Sequence, residues 1–113
     1  MRKVYYRTNG GKIGFIKGTL IMFEEHYVEL EDGTYREEKE FAEVIEKTSP
    51  FPIDLIKAGD FVNDRFVIEN SGKSLILEHP EYEHNQKRID NDEIESIVTK
   101  EQFELSKFYV RYE

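Results

Sequence analysis

The densest set of ligand-type side chains is Glu78-His79-Pro80-Glu81-Tyr82-Glu83-His84, two histidines among three glutamates. Imidazole and carboxylate together suit zinc or another divalent ion. The His79-x4-His84 spacing is not a usual helical or finger spacing, however, and Pro80 makes the stretch a loop. His26 is the one other histidine. An exposed acidic loop with no metal is the expectation. Catalysis finds as little: the sequence has no glycine-rich phosphate loop and no nucleophile elbow. None of Ser49, Ser71, Ser74, Ser96 and Ser106 has a histidine at a suggestive position. Pairs such as Asp90 and Asp92 follow from the abundance of acids and mark a solvated turn. With no Cys, thiolate chemistry, disulfides and Cys-based zinc sites are excluded. The expectation is a protein that is not an enzyme and carries no cofactor.

Two other constellations suit binding. Lys3, Tyr5 and Arg7 fall on one face of an opening strand, and Lys12 and Lys17 sit on the segment that follows. Basic groups interleaved with rings hold single-stranded nucleic acid, with charge on phosphates and rings under bases. The alternative for Lys3 and Arg7 is pairing with acids of the neighbouring strands. The second constellation is acidic: Glu24, Glu25, Glu29, Glu31, Asp32, Glu37, Glu38, Glu40 and Glu43 crowd into twenty residues. On a strand, Glu29 and Glu31 project opposite Val28 and Leu30 and line an outer surface. Such a surface can occupy a basic groove on another protein, including one that holds DNA or RNA, and speeds association in a salt-dependent way. The expected partner-binding residues are Glu29, Glu31, Asp32, Glu37, Glu38 and Glu40. Lys3, Tyr5, Arg7, Lys12 and Lys17 form the alternative nucleic-acid face. A face that merely aids solubility is the plain alternative to the first.

The overall charge of −8 conceals this layout. Residues 1–23 hold five bases and no acid, whereas residues 24–54 hold eleven acids and three bases. The basic start is followed by Gly14, Lys17 and Gly18, so no signal-peptide core forms. No apolar run approaches the roughly 18 residues that span a bilayer. A soluble, cytoplasmic protein without membrane partners is expected.

The elements that must carry these residues are mostly strands. Fifteen aromatic residues in 113 give the chain enough apolar surface to fold despite its charge. Arg2–Thr8 alternates, Asn9-Gly10-Gly11 signals a hairpin, and a strand from Lys12 to Phe23 follows. Glu24-Glu25 reads as the next turn, then His26–Glu31 as a strand, Asp32-Gly33 as a turn and Thr34–Lys39 as an exposed strand. Phe41, Val44 and Ile45 fit a helical turn over Glu40–Thr48, which could equally end as a strand. Ser49-Pro50-Phe51-Pro52 is the best internal boundary. Beyond it, strands are expected at Arg65–Glu69, Ser74–Glu78, Lys87–Ile89, Glu93–Val98 and Lys107–Glu113. Thr99-Lys100-Glu101-Gln102 fits a capping box and starts a helix over 100–106. The stretches Tyr27–Glu31 and Leu75–Glu78, and Glu43–Thr48 and Glu95–Lys100, look like weak copies. Short strands at close spacing favour an all-β barrel or sandwich. The expected core is Phe15, Ile21, Val28, Leu30, Phe41, Val44, Ile45, Leu55, Val62, Val67, Leu75, Leu77, Ile94, Ile97, Val98 and Phe103.

The run Asp54-Leu55-Ile56…Gly59-Asp60-Phe61-Val62-Asn63, with Ile97-Val98-Thr99-Lys100-Glu101-Gln102-Phe103-Glu104, resembles small uncharacterised accessory proteins. They are carried by phages, prophages and mobile elements of low-GC Gram-positive bacteria. The resemblance covers about residues 54–112 and is interrupted by the His79–Gln86 insertion. The start Gly59-Asp60-Phe61-Val62 is also similar to first strands of Src-homology-3-like barrels. The resemblance implies a phage-type accessory protein and transfers no catalytic residue. The resulting expectation is a mainly β protein with one or two short helices, built as one or two small Src-homology-3-like β-barrel modules. An N-terminal β module takes 1–49 and a C-terminal module of that kind 50–113. Its function is protein binding, such as anti-CRISPR-like inhibition of a host nucleic-acid enzyme or defence system. The alternative is single-stranded nucleic-acid binding.

Overall fold

The computed structural model describes residues 3–78 and 86–106 of the chain, and the protein is mainly β. Strands β1 (Val4–Thr8), β2 (Ile13–Met22), β3 (Glu25–Leu30), β4 (Tyr35–Glu37) and β5 (Ile45–Ser49) form one antiparallel sheet in the order β4-β3-β2-β1-β5. Helix α1 (Glu38–Val44) joins the last two. Strands β6 (Phe61–Val62), β7 (Arg65–Asn70), β8 (Leu75–Glu78), β9 (Gln86–Ile89) and β10 (Ile97–Val98) form a second sheet, in the order β10-β6-β7-β8-β9. A 3-10 turn at Asn91–Glu93 joins its last two strands, and α2 (Lys100–Ser106) follows. Each sheet is a four-strand meander whose fifth strand returns beside the first, after a short helical segment. The segments that look alike in the sequence are the third and fifth strands of each sheet. No ladder among the described residues joins the outer strands of either sheet into a closed barrel.

Each sheet has its own core. Tyr6, Val28, Leu30 and Phe41 pack together in the first, with Ile16 and Ile45 against them. Ile53, Ile56, Val62, Val67, Leu75, Leu77 and Ile89 fill the second, flanked by Ile94 and Ile97. Of the expected core, Val28, Leu30, Phe41, Leu55, Val62, Val67, Leu75 and Leu77 are buried. Phe15 is half-buried, while Val44, Val98 and Phe103 are exposed. Ile21 is 67% exposed. It pairs with His26 near the hairpin tip, beyond the part of the sheet that Phe41 covers.

Four elements differ from expectation for identifiable reasons: the expected strand Thr34–Lys39 is strand only over Tyr35–Glu37, because α1 begins at Glu38, and three others follow. The β2–β3 turn is Phe23-Glu24, one residue earlier than Glu24-Glu25, because Met22 pairs with Glu25. The ambiguous 40–48 stretch is both things: helix to Val44, which buries Phe41, then strand from the β-branched Ile45. Glu93–Val98 is strand only at Ile97–Val98. Asp90 accepts from the Asp92 N–H and Glu93 accepts from the Asp90 N–H, so this reciprocal cap winds the preceding residues into a turn. Thr99 and Gln102 cap α2 as their spacing predicts, each side chain accepting from the other's backbone N–H at 3.2 Å. The expected 107–113 strand and the His79–His84 loop lie outside the described residues.

Candidate protein-binding surface

Arg7 is fully buried, which corrects its expected place on a nucleic-acid face. β1 is an inner strand with both faces covered. Tyr6 points into the first core, and Arg7, on the opposite face, meets the second half of the molecule. Its guanidinium donates to both oxygens of the fully buried Asp60, to the Leu55 carbonyl at 2.9 Å and to Glu101 at 2.8 Å. Asp60 also accepts from the N–H groups of Lys57 and Lys100, so its carboxylate meets four donors. Burial opposes the charge on Arg7, but the hydrogen bonds and attraction of Asp60 and Glu101 outweigh it. The guanidinium pKa is raised above its ordinary value. The expected pairing with acids of adjacent strands is thus replaced by pairing across the two sheets, although Glu46 of β5 approaches Arg7 Nε at 3.8 Å.

The same junction holds the first hairpin against α2. Thr99 Oγ1 donates to the Gly11 carbonyl at 2.6 Å. Gly11 has φ +88, and a Cβ there would meet Thr99 and Glu101 at 2.6 Å. Asp60, Thr99, Glu101 and Gln102 belong to the two distinctive sequence runs. Asp60, Thr99 and Glu101 bind the two halves together, while Gln102 caps α2 through Thr99.

The other basic residues are partly committed. Lys3 lies 4.4 Å from the centre of the Phe15 ring, which packs edge-on against its strand partner Tyr5. Lys12 approaches Glu31 at 3.6 Å. Lys17 is exposed. The five residues therefore do not form one face.

The acids do not share one face either. β3 ends at Leu30, and Glu31 turns inward to accept from the buried Tyr6 hydroxyl at 3.0 and 3.1 Å. It leaves the outer surface expected for it. A Cβ on Gly14 would collide with this carboxylate, so glycine there keeps its channel open. Burial, the Glu31 hydrogen bond and the Glu31 charge all push the Tyr6 phenol pKa up. Asp32 accepts from the Thr34 N–H and hydroxyl, which holds its pKa below the ordinary value and fixes the β3–β4 turn. Glu29 and Glu37 flank a surface with Tyr27 and Tyr35, through the pairs Tyr27–Glu37 and Glu29–Tyr35. Glu38 and Glu40 start α1; Glu38 lies 4.0 Å from His26. Among the described residues, Glu24, Glu25, Glu29, Glu37, Glu40 and Glu43 have no ion-pair partner within 4.0 Å.

Of these acids, Glu37, Glu40 and Glu43 border two adjoining open clefts. One, of 550 Å³, lies between the first hairpin and α1 and has Tyr6, Leu30, Phe41 and Val44 beside Arg36, Glu40 and Glu43. The other, of 520 Å³, shares Lys12, Leu30, Arg36 and Glu40 and adds Tyr27, Tyr35, Asp32 and Glu37. Tyrosine faces beside carboxylates suit a Lys or Arg side chain, through cation–π contact and ion pairing. Among the described residues no cluster of three or more metal-ligating side chains occurs, and no helix is long and apolar enough to cross a membrane. No family model, curated protein or solved structure matches the chain.

Proposed function

We propose that the protein is a non-enzymatic binding protein of phage or mobile-element origin, made of two small Src-homology-3-like β modules and acting in the cytoplasm of a bacterial host. Its acidic, tyrosine-bearing surface occupies a basic groove of a host protein that handles nucleic acid. It thereby inhibits that protein, in the manner of an anti-CRISPR or other anti-defence factor. One observation carries this reading: Arg7 is buried in the fold and the exposed Lys12 sits beside Glu31, whereas, among the described residues, Glu29, Glu37 and Glu40 have no ion-pair partner around Tyr27 and Tyr35. The shared strand order of the two sheets supports the modular part of the proposal.

The test is affinity capture from a bacterial host lysate, followed by titration of the purified captured protein. A triple variant Glu29→Lys, Glu37→Lys, Glu40→Lys should bind at least tenfold more weakly and lose most of the salt dependence. Equal binding by both forms rejects the acidic surface. The runner-up places single-stranded nucleic acid on Lys3, Tyr5, Lys12 and Lys17. It requires retention of labelled single-stranded DNA or RNA at low salt, and no retention rejects it.

A further inference from the structure

We propose that the β2–β3 hairpin tip is an anchor, with Phe23 entering an apolar pocket rimmed by Lys or Arg on a partner protein. The inference rests on the protein-binding reading above and names the contact within it. Phe23 is 90% exposed and Ile21 67%, with Met22 between them at 43%. The central turn residues Phe23 and Glu24 have φ of 51° and 67°, a left-handed pair that favours Asn and Gly and disfavours a bulky ring. The β6–β7 turn has nearly the same angles, 52° and 67°, but is built from Asn63 and Asp64. Asn63 also serves the fold: it donates to the Glu93 carbonyl and accepts from the Glu95 and Ser96 N–H groups. Among the described residues the Phe23 and Glu24 side chains make no such bond. A strained turn carrying a water-exposed ring serves a contact outside the molecule.

Charge selects the occupant. Residues 18–35 contain Glu24, Glu25, Glu29, Glu31 and Asp32 and no Lys or Arg. An anionic lipid surface repels such a hairpin, and a second copy of this chain, at −8, repels it too. A pocket with a cationic rim attracts it, and an aromatic anchor in a desolvated pocket is the usual centre of binding energy.

The experiment places a photo-reactive benzoylphenylalanine at position 23 of the full chain, with Lys73 substituted in the same way as a control. The protein crosslinked in bacterial lysate at position 23 only is identified, purified and titrated. The double variant Phe23→Asn, Glu24→Gly should melt at a higher temperature and bind this protein at least thirtyfold more weakly. The contact site on the partner should be an apolar pocket bordered by Lys or Arg. Four results overturn the proposal: no position-23 crosslink above the control, binding by the double variant within twofold of wild type, Phe23-dependent dimers in sedimentation, or Phe23-dependent flotation with phosphatidylcholine–phosphatidylglycerol vesicles. If Glu29→Lys, Glu37→Lys, Glu40→Lys abolishes binding while the tip variant does not, the acidic surface survives and the anchor falls. The reverse result keeps the anchor and removes the surface.

Discussion

Around Arg7 opposite charges are packed together out of water, whereas along β3, β4 and the start of α1 Glu25, Glu29, Glu37 and Glu40 reach the surface without an ion-pair partner among the described residues. The two regions draw on the same residue types. What separates them is desolvation: a carboxylate removed from water must find donors, and Asp60 has four, while the half-buried Glu29 and Glu37 keep access to water. The first arrangement fixes the relation of the two sheets. The second leaves charge free to meet something else.

Breaking the buried side should cost most. Arg7→Met strands Asp60 and should lower stability by about 3–5 kcal/mol, read by urea denaturation. A loss under about 1 kcal/mol would mean that the junction behaves like a surface pair. Asn63→Ala removes three hydrogen bonds and a side chain suited to φ 52°, and should cost about 2 kcal/mol in the same assay. Its counterpart at the other turn, Phe23→Asn, should instead stabilise, and destabilisation would remove the contrast between the turns. Glu29→Lys with Glu37→Lys should change stability by no more than about 0.5 kcal/mol, because neither carboxylate has a partner to lose. A large loss would show that this surface also supports the fold.

A further effect of similar size concerns acid. The Lys57 hydrogen bond lowers the Glu46 pKa from its ordinary 4.5, so its ionised form is favoured in the fold. Its contribution is complete above 4.5 and fades as pH falls through the lowered folded value. Glu46→Gln should therefore be less stable than wild type at pH 7 by about 0.5 kcal/mol. Melting curves of the two should converge as pH drops below the ordinary value, and a gap that widens on acidification contradicts the assignment.

Alternation and turn chemistry made most strands legible, and the Thr99–Gln102 cap could be read from spacing alone. The failures share a cause. On β1, the sequence correctly sets Tyr5 and Arg7 opposite Tyr6, but a strand does not record whether a second sheet covers its other face. Arg7 therefore reads as surface until Asp60 is seen beside it. Asp60 carried a usable signal, an acid wedged between a turn glycine and Phe61-Val62, where burial forces a search for cations. Ile21 failed in the opposite sense: its parity matches the core face, but the hairpin extends past its cover. Glu31 was displaced by the strand ending one residue sooner, within reach of Tyr6.

The reach of Arg7 along the chain has a consequence for synthesis. Its carboxylate partners lie 53 and 94 residues downstream, while all five strands of its own sheet are finished by Ser49. At about 5–20 residues per second, Asp60 follows Ser49 within about two seconds and Glu101 only several seconds later, so the first sheet's strands are all made before the junction with the second half can close. The residue that locks the mature protein is thus among the first made, and its lock closes only when the second half of the chain arrives.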